Sequence, residues 1–183
     1  MSDKYLKTPI TEKDVEDLCS GDMVYISGTI YTARDAAHKR LYETIQAGEE
    51  IPFDLQNNII YYLGPSPARE GQVIGSAGPT TSSRMDKYTP LLLKNGLKGM
   101  IGKGKRSEQV IDAIKNYRAV YFAAIGGAGA LLSKCITKSE IIAYDDLGTE
   151  AIRKLEVENL PVIVVIDNKG DNLYETAIGK YCK

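Results

Sequence analysis

The sequence predicts an α/β protein built on a mixed sheet, with helices covering part of it. Three observations carry this expectation. Strand-like apolar runs alternate with helix-like stretches through most of the 183 residues. The runs VYFAAI and VIVVI are almost continuously apolar, as strands of a parallel sheet buried on both faces are. The stretch VYISGTIY alternates more, as a strand wet on one side does.

Taken in order, residues 1–10 read as an extended arm. Thr11 has N-cap character, with Glu12 and Asp14 in the first turn, and opens a short helix to about Leu18. Residues 23–31 are rich in β-branched and aromatic side chains and predict a strand. Thr32, with Asp35 three positions later, resembles a capping box for a helix that runs to Gly48, a residue suited to a left-handed terminator. Residues 58–64 predict a strand that ends in the turn-forming PSPAREG. Residues 72–78 are strand-like. Residues 80–95 read as helical with a boundary just before Pro90. A short strand at 98–102 leads into the loop GKGKRS, and Ser107 caps the next helix. Residues 119–125 predict a strand, and GGAGALLSK turns from it into a helix. A strand at 140–146, a helix around 149–158, a strand at 161–167 and a hairpin-like NKGDNLYE complete the series.

Composition bounds the function. Hydrophobic residues make up 43% and charged residues 26%, which excludes wholesale disorder and fits a single domain over 1–183. Lys plus Arg number 23 and Asp plus Glu 24, a net charge of −1, so no basic field invites nucleic acid. No run approaches the roughly 18 apolar residues that a spanning helix needs, and MSDKYLKTPITEKD has no apolar signal region, so neither membrane nor export is expected. Cys19, Cys135 and Cys182 stand far apart with no CxxC spacing. They predict neither a disulfide framework nor a zinc site, and a reducing, cytoplasmic setting suits them. One histidine cannot build a multi-histidine metal centre.

Four segments put polar residues at the ends of apolar strands, where open α/β folds place ligands. In GTIYTARDAAHKR, Arg34 and His38 lie four apart and share a helix face near an anion-favouring N-terminus. Arg34 could clamp a carboxylate, and His38 has the proton affinity for acid–base work near neutrality. A solvated face in which Asp35 neutralises the arginine explains the same residues. In GSAGPTTSSRMD, Thr80 and Thr81 offer hydroxyls and amides one turn from Arg84, a carboxylate cradle or an ordinary cap with a surface arginine. In MIGKGKR, two glycines bracket Lys103 without the spacing of a phosphate loop, which suits a carboxylate-binding ammonium or a plain basic turn. AAIGGAGALLSK is either an amide-lined anion turn or close helix–strand packing, and it lacks the full dinucleotide fingerprint. Three cations on separate loops with hydroxyls nearby suit a small dianion. No reactive centre accompanies them, so the chain reads as half of an active site.

These blocks, together with YYLGPSPA and AYDDLGTEAI, resemble the beta subunit of class I fumarate hydratase and the C-terminal part of its single-chain forms. They are also similar to the L-tartrate dehydratase beta subunit. The likeness runs from about Thr8 to Tyr174. It implies a swivelling β/β/α domain of an iron–sulfur hydro-lyase that hydrates fumarate to (S)-malate. It implies a 4Fe–4S cluster held by an alpha subunit in a heterotetramer of two alpha and two beta chains, and no metal on this chain. By motif it implies that Arg34, Thr80, Thr81, Arg84 and Lys103 meet the dicarboxylate, and that His38 and Thr80 are catalytic. Ser83 stands where the single-chain enzymes commonly have glycine. Tartrate or mesaconate as substrate, and a non-catalytic anion-binding regulatory module, are the competing expectations. A dinucleotide-binding domain rests on GGAGA alone.

Overall fold

The computed structural model describes residues 3–124 and 128–181. Its strands are β1 (Lys4–Lys7), β2 (Met23–Thr32), β3 (Ile59–Tyr61), β4 (Gly99–Gly102), β5 (Val120–Ala124), β6 (Ile136–Ala143) and β7 (Ile152–Ile166). Its helices are α1 (Glu12–Glu16), α2 (Asp35–Gln46), α3 (Thr89–Lys94), α4 (Glu108–Asn116), α5 (Gly129–Leu132) and α6 (Leu173–Tyr181). Strands β2, β3, β4 and β5 run parallel in that order. Strand β7 runs antiparallel to β5 on one edge and to β2 on the other, which closes the five into a ring. Strand β1 extends the sheet along the first half of β2, and β6 along the first half of β7. The mixed α/β sheet therefore follows the expectation, with a closure that the sequence pattern does not announce.

Alternation along the strands divides the core. Val24, Ile26, Tyr61, Phe122 and Val164 belong to one buried cluster on the inner face of the ring. Ile60, Met100, Tyr121 and Val165 point the other way, against Leu41 of α2, Leu92 of α3 and Ile114 of α4. Each of these aliphatic side chains contributes roughly 1.5–3 kcal/mol on full burial. Both clusters hold the strand ends rigidly, and those ends carry the polar loops.

Several elements differ from expectation. Part of the arm is strand β1, whose Leu6 is paired with Ile26. Thr11 and Asp14 do form a reciprocal capping box on α1. Thr32 does not cap α2. It stays in β2, buried, and accepts the Arg153 amide at 3.0 Å, while Arg34 takes the cap position without a side-chain bond. Residues 72–78 form no strand, because Gly75 and Gly78 lie in a segment tied singly to its neighbours, as by Ala77 N–H to the Gly129 carbonyl. The predicted helix over 80–95 is a 3-10 turn at Ser82–Met85 followed by α3, with Pro90 in the first turn of the latter. The predicted helix around 149–158 is mostly the first half of β7, paired on one edge with β2 and on the other with β6. The hairpin-like end is a single bridge, Ile166 to Asn172, followed by α6. Gly126, Gly127 and Cys182 lie outside the described residues.

Candidate functional site

Because β2 to β5 are parallel, the segments that leave their C-terminal ends meet at one rim. Arg34 follows β2, Gly64 follows β3 and Lys103 follows β4. Strand β7 enters from the same rim, which brings Glu150 beside them, since Lys154 is paired with Tyr31.

Arg34 sits at the mouth of α2 with extended backbone. Its helix is capped from a distance: the Glu150 carboxylate accepts the Ala36 amide at 2.9 Å. The same carboxylate lies 3.5 Å from the Arg34 guanidinium, and Asp35 lies 3.9 Å from it. Arg34 can reach this position because residue 64 is glycine. A Cβ there would stand 2.6 Å from Nη1 and 2.7 Å from Cδ of Arg34. The other Asp35 oxygen forms an ion pair with Nε of Arg84, 2.8 Å away. Arg34 and Arg84 thus converge on one carboxylate. Among the described residues, the two terminal nitrogens of Arg84 meet no partner, and its side chain is 54% exposed.

His38 lies one helical turn inside. It is fully buried, edge-on to Tyr62 and stacked on Tyr88. Its Nδ1 donates to the Arg34 carbonyl at 2.9 Å, and Nε2 is buried without a partner. Burial pushes its pKa down to about 4, helped by the nearby Arg106 cation and opposed by the carbonyl bond and Asp35. The ring is therefore neutral near pH 7, and it does not reach the open face.

The threonine and lysine segments are joined directly. Thr81 and Lys103 form a parallel bridge, and the Ser82 amide donates to the Lys103 carbonyl at 2.9 Å. The Thr80 amide donates to the Tyr62 carbonyl at 2.7 Å. Thr80 is half-buried, whereas Thr81 and Lys103 are exposed. Beneath them lies a polar layer that local sequence patterns do not reveal. Arg106 has no exposed side-chain surface and bonds Asp86 at 2.7 Å and the Thr89 hydroxyl at 2.9 Å. Its guanidinium lies between the rings of Tyr62 and Tyr121, 5.3 and 4.9 Å from their centroids. The second Asp86 oxygen accepts the Ser107 amide at 2.7 Å, at the start of α4. Asp86 and Arg106 are the last residues of GSAGPTTSSRMD and MIGKGKR, and no local pattern marks them as a pair.

Gly102 is the tightest point of this layer. A Cβ there would stand 2.0 Å from the Ser82 hydroxyl and 2.8 Å from the Tyr62 ring. Gly102→Ala is expected to cost about 1–3 kcal/mol through overpacking. The check is a thermal melt of the purified chain, and an unshifted midpoint would contradict it.

The six predicted residues therefore divide. Arg34, Thr80, Thr81, Arg84 and Lys103 gather on one rim, and His38 lies behind it. The rim is an open face. A hollow of about 530 Å³, bordered by Ile45, Phe53 and Asn95, opens at the other end of α2 and contains none of the six.

The family model described as Fumarase C-terminus matches residues 3–177. The chain belongs to the fumarase C-terminus family. This fumarase C-terminus domain is 42% identical over 159 residues to the anaerobic class I fumarate hydratase of Escherichia coli K12, covering 86% of the chain and 29% of that enzyme. It is 39% identical over 178 residues to a Methanocaldococcus jannaschii protein provisionally named L(+)-tartrate dehydratase subunit beta, covering 94% and 91% respectively. It is 38% identical over 177 residues to fumarate hydratase 2 of Leishmania major, covering 94% and 31%. The domain thus spans under a third of the length of these two fumarate hydratases.

An iron–sulfur cluster needs several thiolates converging on one point. Among the described residues, the fumarase C-terminus domain has no group of three histidine, cysteine or acidic side chains able to hold a metal. Cys19 is exposed and precedes β2, at the end of that strand opposite Arg34. Cys135 packs against the inner cluster, where burial pushes its thiol pKa up. These residues do not fit a resident cluster. No helix among the described residues is long and apolar enough to cross a membrane.

Proposed function

We propose that the chain is the beta-type half of a class I fumarate hydratase and takes part in the reversible hydration of fumarate to (S)-malate. One observation carries the reading. In a member of this family, Arg34, Arg84 and the Thr80–Lys103 segments gather on an open rim at the ends of parallel strands. An open rim suits a domain that swivels onto a second surface. That surface is assigned to an alpha subunit, which would hold the 4Fe–4S cluster, in a cytoplasmic assembly of two alpha and two beta chains.

The chemistry fits the residues. The substrate is a dianion, and the terminal nitrogens of Arg84 offer a carboxylate the paired donors it accepts best. Lys103 adds a second cation, and the hydroxyl of Thr81 a neutral donor. Arg34, held by Glu150 and Asp35, lends its charge to the same anion. In the dehydration direction a proton leaves the carbon beside one carboxylate, and hydroxide leaves the neighbouring carbon. Negative charge builds on that carboxylate as the proton leaves and is discharged into the new double bond as hydroxide departs, and fixed cations stabilise it more than they stabilise the ground state. Thr80 is a weak base alone, so its hydroxyl serves as a proton-transfer group paired with an acid of the alpha subunit. His38, neutral and enclosed, acts by holding the Arg34 carbonyl and with it the mouth of α2.

The test is co-expression with a candidate alpha subunit, anaerobic purification and loss of fumarate absorbance with and without this chain. Turnover that needs both chains supports the reading. The coverage of 91% of the M. jannaschii protein favours a second reading, an L-tartrate dehydratase beta subunit. Turnover of tartrate without fumarate would select it. Absence of association would return the chain to an anion-binding module. In the assembled enzyme, Arg84→Ala should lower kcat/KM roughly tenfold to 150-fold, the equivalent of a lost charged hydrogen bond, with the fold intact because the side chain is exposed. Unchanged turnover would remove Arg84 from the site.

A further inference from the structure

Tyr121 rises from near the start of β5, fully buried, and its hydroxyl ends beneath the Lys103 turn. Three hydrogen bonds there admit only one direction. The Gly104 carbonyl can only accept, so the Tyr121 hydroxyl donates to it, at 2.9 Å. The Ser82 hydroxyl must then donate to Tyr121, at 2.8 Å. That leaves a lone pair of Ser82 Oγ to accept the Lys103 amide, at 3.0 Å. The Ser82 amide closes the circuit on the Lys103 carbonyl, at 2.9 Å. One phenol thus ties the lysine turn to the threonine segment from below. The arrangement is built for closeness, because only a glycine at 102 leaves room for the Ser82 hydroxyl. Desolvation pushes the phenol pKa well above its ordinary value, with the Ser82 bond and Arg106 opposing, so the group stays a neutral donor through the working pH range.

From this geometry we infer that Tyr121 is a positioning residue for substrate binding. Its hydroxyl sets the height of the Lys103 ammonium relative to Thr81 and so the span over which a dicarboxylate is held. The inference rests on the hydro-lyase reading for its kinetic consequence, and on the hydrogen-bond circuit alone for its structural one.

Tyr121→Phe tests both, because it removes one oxygen and leaves the ring that covers Arg106. In the full chain, amide hydrogen exchange at Lys103 should speed up at least about tenfold, while the ladder amides of β4 and β5 keep their protection. In the assembled enzyme, KM for fumarate should rise about tenfold with kcat changed less than about twofold, as expected when binding common to ground and transition states is lost. Ser82→Ala should act in the same direction. The double variant should be less impaired than the two single effects combined, because both break one circuit. A merely structural role would instead lower kcat through loss of active enzyme at constant KM. That outcome, or unchanged exchange at Lys103, would overturn the inference. If the wild-type assembly fails to hydrate fumarate, the hydro-lyase reading falls, and the exchange measurement still judges the circuit.

Discussion

Arg106→Ala should lower the thermal midpoint of the chain by roughly 6–20 °C. The side chain is solvent-free, and its charge is balanced by Asp86 at 2.7 Å. Removing one partner of a buried pair leaves the other charged and desolvated, at a cost of about 3–5 kcal/mol. For a domain of this length each kcal/mol shifts the midpoint about 2–4 °C. Three further losses act in the same direction: the bond to Thr89, the contact with both tyrosine rings, and the orientation of the carboxylate that caps α4. Arg106→Lys should fall between wild type and alanine, since an ammonium keeps the charge and loses the planar fork. Melting followed by circular dichroism decides the matter. A shift of under about 3 °C would mean that water reaches the pair and that the layer beneath the rim is not dry.

The second large effect is a pH dependence traced to His38. In the folded chain its ring titrates at about 4, and in an unfolded chain near 6.5. Between these values the unfolded state binds more protons, so stability rises with pH across the window. The contribution is complete above about pH 6.5 and is progressively lost as pH falls toward 4, to a total of roughly 3 kcal/mol. Denaturant titrations at several pH values, on wild type and His38→Gln, isolate it by difference. The glutamine variant should show a shallower slope between pH 4 and 6.5, whatever its absolute stability. Equal slopes would mean that the imidazole is solvated. Nitrogen shifts of the ring should also report the Nδ1-protonated tautomer that donation to the Arg34 carbonyl requires.

The sequence made the parallel half of the molecule legible. Residues 23–31, 98–102 and 119–125 read as strands because β-branched and aromatic side chains cluster there between turn formers, and each supplies a strand of the ring, the last as Val120–Ala124. The first half of β7 was hidden. Ile152 and Leu155 are three apart, as on a helix face, and the charged residues between them favour a helix locally. Pairing on both edges overrides that preference, and no local pattern records a partner more than a hundred positions away. The rim was legible for a related reason. Arg34, Thr80, Arg84 and Lys103 each stand just after an apolar run, near glycine or a helix start. Glu150, which caps α2 from another part of the chain, and the Asp86–Arg106 pair have no such marker. A charged residue in a lysine- and glycine-rich turn reads as solvated until the rings of Tyr62 and Tyr121 are placed around it.

The closure of the ring also has a consequence in time. Strand β7 is the last strand in chain order among the described residues, yet it binds β2, whose Thr29 hydroxyl meets Glu156 across 127 positions. Contacts of such long range are slow to form. Until residue 166 has left the ribosome, β2 and β5 each present an unpaired edge, the kind of template on which nascent chains associate wrongly. The same delay applies to the rim, because Glu150 reaches Arg34 and the α2 amide only as β7 docks. The sheet and the rim are therefore completed together, in one late step.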